Sequence, residues 1–216
     1  PSTIIKIGSP MKEVLDFAKK SISSSKILSK LKLKKGKYFV ASIHREENVD
    51  SPEKLNQIIK SLDEIASKYD FKVILSLHPR TKKKISKENI KLNKNISQYP
   101  PFGFNDYIHL QQNAYCVISD SGTIFEESSI LNFRALNIRE SHERPEAVEE
   151  TSVVITGLKI ERILQGIKII ENQTTGKKRN INLVSDYNTP NVSLKVERII
   201  LSHIDFVNRV VWQKES

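Results

Sequence analysis

Apolar residues along this chain follow two rhythms. Short unbroken runs rich in β-branched and bulky residues predict strands at 3–7, 37–43, 71–77, 115–118, 134–138 and 152–156, with a weaker one at 95–98. Between them, apolar residues recur at three- and four-residue steps. Met11, Val14, Leu15 and Ala18 predict a helix over 11–21, and Leu55, Ile58, Ile59, Leu62, Ile65, Ala66 and Tyr69 give the clearest amphipathic stripe, with Ser51 as cap and Pro52 in the first helical position. Further helices are predicted over 81–88, 105–112, 146–150, 159–171 and 192–208, with another starting just after 119–123. A connector at 26–37 has room for a short helix, and 173–188 reads as polar loop. Strands that alternate with helices, and that lack strict polar alternation, predict an α/β fold: a parallel sheet covered by helices on both faces.

In such a sheet the loops after the strands gather at one edge, where open α/β folds bind ligands. Four polar clusters fall there: His44-Arg45-Glu46-Glu47-Asn48, His78-Pro79-Arg80, Ser119-Asp120-Ser121-Gly122-Thr123, and the stretch 139–146. Imidazole, guanidinium and hydroxyl groups suit a diphosphate, as do the free N–H groups of a helix tip. Carboxylates such as Glu126 and Glu127, one turn into the helix, suit sugar hydroxyls. The plain alternative for the central turn is an ordinary strand-to-helix junction in which Ser121 is only an N-cap. Any single histidine is more often structural than functional, but three of the five, His44, His78 and His142, fall at predicted strand ends. Neither glycine fingerprint of dinucleotide or P-loop sites occurs, and no histidine or cysteine spacing suits a metal.

Composition narrows the setting. The 216 residues are 38% hydrophobic and 28% charged, enough for one globular domain or one large half of an enzyme. The net charge of +10 lies mostly in lysine-rich helical stretches without interleaved aromatics, which points to solvated surface rather than nucleic acid. A single cysteine, Cys116, sits in a predicted buried strand and fits a reducing compartment. With no apolar run long enough for a membrane span, and no signal-like start, the expected location is cytoplasmic.

The string 44–48, the His78-Pro79-Arg80 turn, Asp120-Ser121-Gly122-Thr123-Ile124-Phe125-Glu126-Glu127, and Glu143-Arg144-Pro145-Glu146 resemble, in order and spacing, the carboxyl-terminal half of the non-hydrolysing UDP-N-acetylglucosamine 2-epimerases. The resemblance runs from Gly8-Ser9-Pro10, which is similar to that family's interdomain hinge, to the chain's end. It implies a Rossmann-like domain forming one half of a two-domain, B-type glycosyltransferase-like fold, with residues 1–216 as the UDP-binding half. The implied reaction eliminates UDP to a 2-acetamidoglycal and re-adds it with C2 inverted. The family's acid/base carboxylates belong mostly to an amino-terminal domain absent from these residues. By resemblance, Ser121, Gly122 and Thr123 bind the diphosphate, Glu127 the ribose, and Phe102 with Tyr107 the uracil. His44 and Arg45 face the diphosphate and reacting sugar as the catalytic pair. Arg144 joins the UDP site or else pairs structurally with Glu143 or Glu146. No cofactor or metal is implied, and a homodimer is expected of the whole enzyme.

Two departures from the family's usual pattern, Thr123 in place of glycine and His142 in place of threonine, resemble the branch that converts UDP-2-acetamido-2,6-dideoxy-L-talose to UDP-N-acetyl-L-fucosamine for capsule and O-antigen synthesis. The ending Val207 to Trp212 does so too. Arg134, where proline is usual, departs in the other direction. The apolar tail 209–216 is expected to pack on the absent domain, and the isolated chain to lack epimerase activity. A nucleotide-sugar domain of a glycosyltransferase and a non-catalytic UDP-sugar-binding domain are the alternatives.

Overall fold

Val40 illustrates how this sheet is built, since it is fully buried and pairs in parallel register with Ile74 on one side and Val117 on the other. In the computed structural model, which describes residues 4–88, 90–141 and 144–214, six parallel strands form one sheet. They are β1 (Tyr38–Ile43), β2 (Lys72–Leu77), β3 (Ile96–Tyr99), β4 (Cys116–Ser119), β5 (Ala135–Asn137) and β6 (Val154–Ile155), in the order β3-β2-β1-β4-β5-β6. The helices are α1 (Met11–Ser23), α2 (Ile27–Lys30), α3 (Glu46–Val49), α4 (Pro52–Tyr69), α5 (Pro79–Lys87), α6 (Phe104–Asn113), α7 (Ile124–Leu131), α8 (Pro145–Glu150), α9 (Ile160–Ile170) and α10 (Val192–Phe206).

Both faces of the sheet are covered. Phe39, Ala41 and Ile43 pack into a core with Leu55, Ile58, Leu62 and Ile65 of α4 and Ile163 and Ile167 of α9. Their neighbours Tyr38 and Val40 pack the other way, with Ile27, Leu110, Ile124 and Phe125. This explains the unbroken apolar run of β1, because side chains that alternate in direction find a dry environment on either side. The chain leaves β1 toward β2 and β3, then returns to the opposite side of β1 as β4. That reversal opens a crevice at the carboxyl ends of β1 and β4.

Local expectations hold where the signal is local. Ser51 accepts a hydrogen bond from Lys54 N at 3.3 Å with Pro52 opening α4, and Asp70, at φ 50°, ends the helix in the left-handed region. One predicted strand does not form. Residues 4–7 carry no strand, with Ile4 81% exposed, and Thr3 lies outside the described residues. The segment binds the 3₁₀ turn Ser185–Asn188 instead, through Lys6 to Asp186 at 2.8 Å and Ser9 N to Asp186 O at 3.0 Å. Neither edge strand, β3 or β6, pairs with the segment, whose polar partners lie on the 3₁₀ turn. Gly8 at φ +87° is required at this junction, because a Cβ would come within 2.6 Å of Thr189. The final helix runs on through a π-helical turn, Val207–Val211, whose Val210 and Val211, with Trp212 beyond, are exposed. Among the described residues no helix is long and apolar enough to cross a membrane.

At the amino-terminal end of the sheet, Phe39, Tyr69, Phe71 and Tyr115 form an aromatic cluster with ring centroids 5.3 to 6.2 Å apart. The hydroxyls of Tyr69 and Tyr115 both donate to Glu171, at 3.2 and 2.6 Å, and burial pushes the Tyr69 hydroxyl up to about 12. Arg134 closes the group. Its guanidinium lies 5.7 Å from the Tyr115 ring centroid and donates to the Glu171 carbonyl at 2.8 Å and the Gln173 carbonyl at 3.1 and 3.2 Å. A cation on the carbonyl end of α9 is favourable both as a cap and against the helix dipole. Arg134→Ala is therefore expected to cost about 1–2 kcal/mol, the scale of charged hydrogen bonds that are partly solvated. Thermal melts should show a drop of roughly 2–8 °C, and an unchanged melting temperature would remove the capping role.

Candidate active site

The crevice is organised by a buried acid. β4 runs apolar through Cys116, Val117 and Ile118, all sealed in the core, and delivers Asp120 at its end with no exposed surface. The carboxylate is met by the loop after β1. His44 N donates to it at 3.1 and 3.2 Å, Arg45 N at 3.0 Å and Asn48 Nδ2 at 3.1 Å. The His44 ring lies beside the acid, its Nδ1 3.2 Å from Oδ1. The short helix α3 is thus pinned over β4, which brings His44 and Arg45 beside the turn that starts α7.

That turn has its own hydrogen bonds. Ser121 N donates to Ser119 Oγ at 3.0 Å, and Asn137 Nδ2 donates to the Ser121 carbonyl at 3.1 Å. The Ser121 and Thr123 hydroxyls lie 3.0 Å apart. Ser121 is not the N-cap. Thr123 holds that position in α-helical geometry without a side-chain cap, and Ser121 Oγ only accepts a long 3.3 Å contact from Thr123 N. Both hydroxyls therefore flank the amino end of α7, whose first N–H groups have no intrahelical acceptor. Gly122 is buried between them.

Glu127 lies one turn in and is 7% exposed. It accepts from Gln111 Nε2 at 2.8 Å and from the Thr123 side chain. Burial raises its carboxyl above the ordinary value, more than those hydrogen bonds lower it. Tyr107 is half-buried, with its hydroxyl turned to Ser42 and Gln111, and desolvation followed by the nearby Glu127 charge pushes it up. Phe102 packs on Tyr99 with centroids 5.4 Å apart, and both it and Tyr107 border the second core.

Ion pairs tie the remaining loops together. Arg80 pairs with Glu46 at 2.6 Å and with Asp50, Arg139 with Glu47 at 3.0 Å, and Lys54 with Glu140 at 2.7 Å. Arg144 reaches Glu126 at 3.5 Å and Glu146 at 3.7 Å, while Ser9 Oγ donates to Glu126 and Tyr187 to Glu146. His142 and Glu143 lie outside the described residues. These contacts border a groove of about 810 Å³ between residues 4–14 and Arg144, which His44, Ser121 and Thr123 do not line. Sequence reasoning placed Asp120 in the turn, Asn48 in the 44–48 cluster and Ser9 in the hinge without individual roles, and overlooked Gln111. An acid directly after an apolar strand, followed by small residues, was the available signal. Among the described residues no group of three or more His, Cys, Asp or Glu could hold a metal ion.

Because burial favours the neutral Glu127, the folded chain holds that proton to higher pH than the unfolded chain. Stability contributed at this position therefore falls as pH rises from the ordinary value of 4.5, and the penalty is complete above the folded value. Glu127→Gln should be more stable than the parent at about pH 8, with the gap closing toward about pH 4, as denaturant melts at both would show. A gap of constant size would mean that Glu127 is not held neutral by burial.

Residues 1–201 match the UDP-N-acetylglucosamine 2-epimerase family. The UDP-N-acetylglucosamine 2-epimerase of Methanocaldococcus jannaschii is 37% identical over 147 residues, covering 66% of this chain and 39% of the relative. That of Methanococcus maripaludis is 36% identical over 158 residues, 71% of this chain and 43% of the relative. The chain thus spans about two fifths of the length of these curated relatives. Among solved structures, the Rickettsia bellii UDP-N-acetylglucosamine 2-epimerase superposes with a TM-score of 0.85 at 44% identity, covering 96% of this chain and 56% of that one. The M. jannaschii enzyme in complex with UDP-GlcNAc and UDP gives 0.82 at 29% identity, with 93% and 55% covered. With all but the last fifteen of its residues matched, and the same sheet with its crevice, the chain belongs to the UDP-N-acetylglucosamine 2-epimerase family.

Proposed function

We propose that this chain is the UDP-binding half of a UDP-sugar 2-epimerase, an isomerase that inverts C2 of a UDP-2-acetamido sugar. The observation that carries the reading is the meeting of the His44–Arg45 loop and the Ser121-Gly122-Thr123 turn at the crevice, in a chain of this family. Hydroxyls and helix-tip amides at 121–123 hold the diphosphate, and Glu127 holds the ribose. Phe102 and Tyr107 border the uracil, and His44 and Arg45 face the diphosphate and the reacting sugar. Arg144 joins the phosphate site by exchanging its contacts with Glu126 and Glu146 for the ligand. In the reaction the C2 proton is removed and the bond from C1 to the UDP oxygen breaks, leaving a 2-acetamidoglycal. A proton then returns to the opposite face of C2 as UDP re-adds at C1. The described carboxylates suit nucleotide binding better than this proton transfer, since Glu46, Glu47, Glu126 and Glu146 all face arginines. An amino-terminal domain supplies the acid/base groups, the exposed tail from Val210 packs against it, and the whole enzyme is a cytoplasmic homodimer. Thr123 and the Val207 to Trp212 ending favour the talose-to-fucosamine sugar as substrate, in capsule or O-antigen synthesis.

Calorimetry on the chain should rank UDP tightest, then UMP, then uridine, and equal weak binding of all three would remove the helix-tip phosphate site. Ser121→Ala should weaken UDP binding by about 1 kcal/mol, roughly fivefold in Kd, with the fold intact. Normal binding by a destabilised variant would make Ser121 structural only.

Epimerisation is read by deuterium uptake at C2 in heavy water. The chain alone should show none with either UDP-N-acetylglucosamine or the dideoxytalose sugar, whereas the chain joined to a family amino-terminal domain should show uptake, faster with the latter sugar. Uptake by the chain alone, lost in His44→Ala, would put the base in these residues.

A further inference from the structure

We propose that Asn137 is a positioning residue for the diphosphate turn: its side-chain amide holds the Ser121 carbonyl and so turns the Gly122 N–H away from the sheet, toward the ligand. The role rests on the reading that residues 121–123 bind the diphosphate, and adds the group that keeps their backbone in binding geometry.

β5 and the residue after it, Ile138, are sealed from water, and Asn137 is the one polar side chain among them. Its register partner in β4 is Ser119. Side chains alternate along a strand, so Ser119 lies on the face of Val117 and Asn137 on the face of Ala135, which Ile124 and Phe125 of α7 cover. From there both reach the same residue of the turn. Ser119 Oγ accepts from Ser121 N at 3.0 Å, and Asn137 Nδ2 donates to the Ser121 carbonyl at 3.1 Å. A carbonyl oxygen only accepts, so the nitrogen end of the amide must face it. This is the amide's one bond among the described residues, where Oδ1 is buried without a partner. An apolar side chain of similar size would match the rest of the strand, so what the amide adds is the bond to the turn.

A peptide group is planar and trans, and its C=O and N–H point in opposite directions. With the Ser121 carbonyl fixed on the buried strand end, the Gly122 N–H points out of it, to the side from which a ligand approaches. The other backbone groups of the turn are engaged. The Gly122 carbonyl accepts from Phe125 N at 3.4 Å, the Thr123 carbonyl from Glu127 N at 2.9 Å, and Thr123 N meets Ser121 Oγ at 3.3 Å. The Gly122 N–H is thus the backbone donor that the turn presents beside the Ser121 and Thr123 hydroxyls.

Ser121 and Gly122 form the only Ser-Gly pair in the sequence. A chain made by cell-free synthesis with ¹³C at serine carbonyls and ¹⁵N in glycine therefore gives a single carbonyl-filtered amide signal, that of this peptide group. In the parent, UDP should move the Gly122 amide proton downfield and uridine should not. Asn137→Leu should fold and shift the ligand-free Ser121 carbonyl carbon upfield. It should also raise the Kd of UDP about fivefold to tenfold, the scale of one hydrogen bond to a charged group, while the Kd of uridine changes by less than about twofold. UDP and uridine weakened alike would make Asn137 structural only, and an unchanged UDP Kd or an unmoved carbonyl overturns the proposal. So does a Gly122 amide that stays in place in a parent that binds UDP, a result that needs no variant. If Asn137→Leu does not fold, Asn137→Ser, too short to reach the Ser121 carbonyl, is held to the same outcomes. A carbonyl shift in the variant without UDP binding by the parent sinks the UDP site and leaves the held peptide, whereas UDP binding with an unmoved carbonyl does the opposite.

Discussion

A carboxylate sealed from water costs several kcal/mol unless donors replace its hydration, and the crevice of this protein follows from how Asp120 meets that requirement. β4 supplies the acid and the loop after β1 supplies the backbone and side-chain donors. Neither half is stable in this form alone. The loop would lose the acceptor for its first N–H groups, and the acid would be left with an uncompensated charge in the core. One set of hydrogen bonds therefore joins the two central strands at their carboxyl ends and positions the groups that face the crevice.

The two ends of the sheet do different work. At the amino-terminal end, aromatic rings, tyrosine hydroxyls and the Arg134 guanidinium are spent on packing and on capping α9. At the carboxyl-terminal end, charged groups are held by opposite charges across neighbouring loops, Arg80 to Glu46 and Arg139 to Glu47 among them. Parallel strands impose this division, because every strand delivers its exit loop to the same edge. Glu127 carries a cost at this edge, since a carboxyl in a buried position that raises its pKa lowers stability at neutral pH.

What the sequence determined by itself was whatever neighbouring residues decide. The alternation of apolar runs with three- and four-residue spacing defined the strands and the main helices, Ser51 and Pro52 marked the start of α4, and the four polar strings after strands marked the edge that carries the site. Those strings, in order, were also enough to suggest the family. Tertiary structure decided everything that depends on partners far along the chain. The β-branched run at 4–7 looks like a strand, yet it pairs with neither edge of the sheet and binds the turn at Asp186. Ser121 looks like an N-cap, yet the turn's geometry gives that position to Thr123. Arg144 meets Glu126 and Glu146, and Glu126 is also held by Ser9, 117 residues away. The role of Asp120 spans 76 residues to His44 and exists only because the strand order sets β1 beside β4. Periodicity records which way a side chain faces, whereas a buried charge is defined by what surrounds it, and only the assembled sheet brings those groups together.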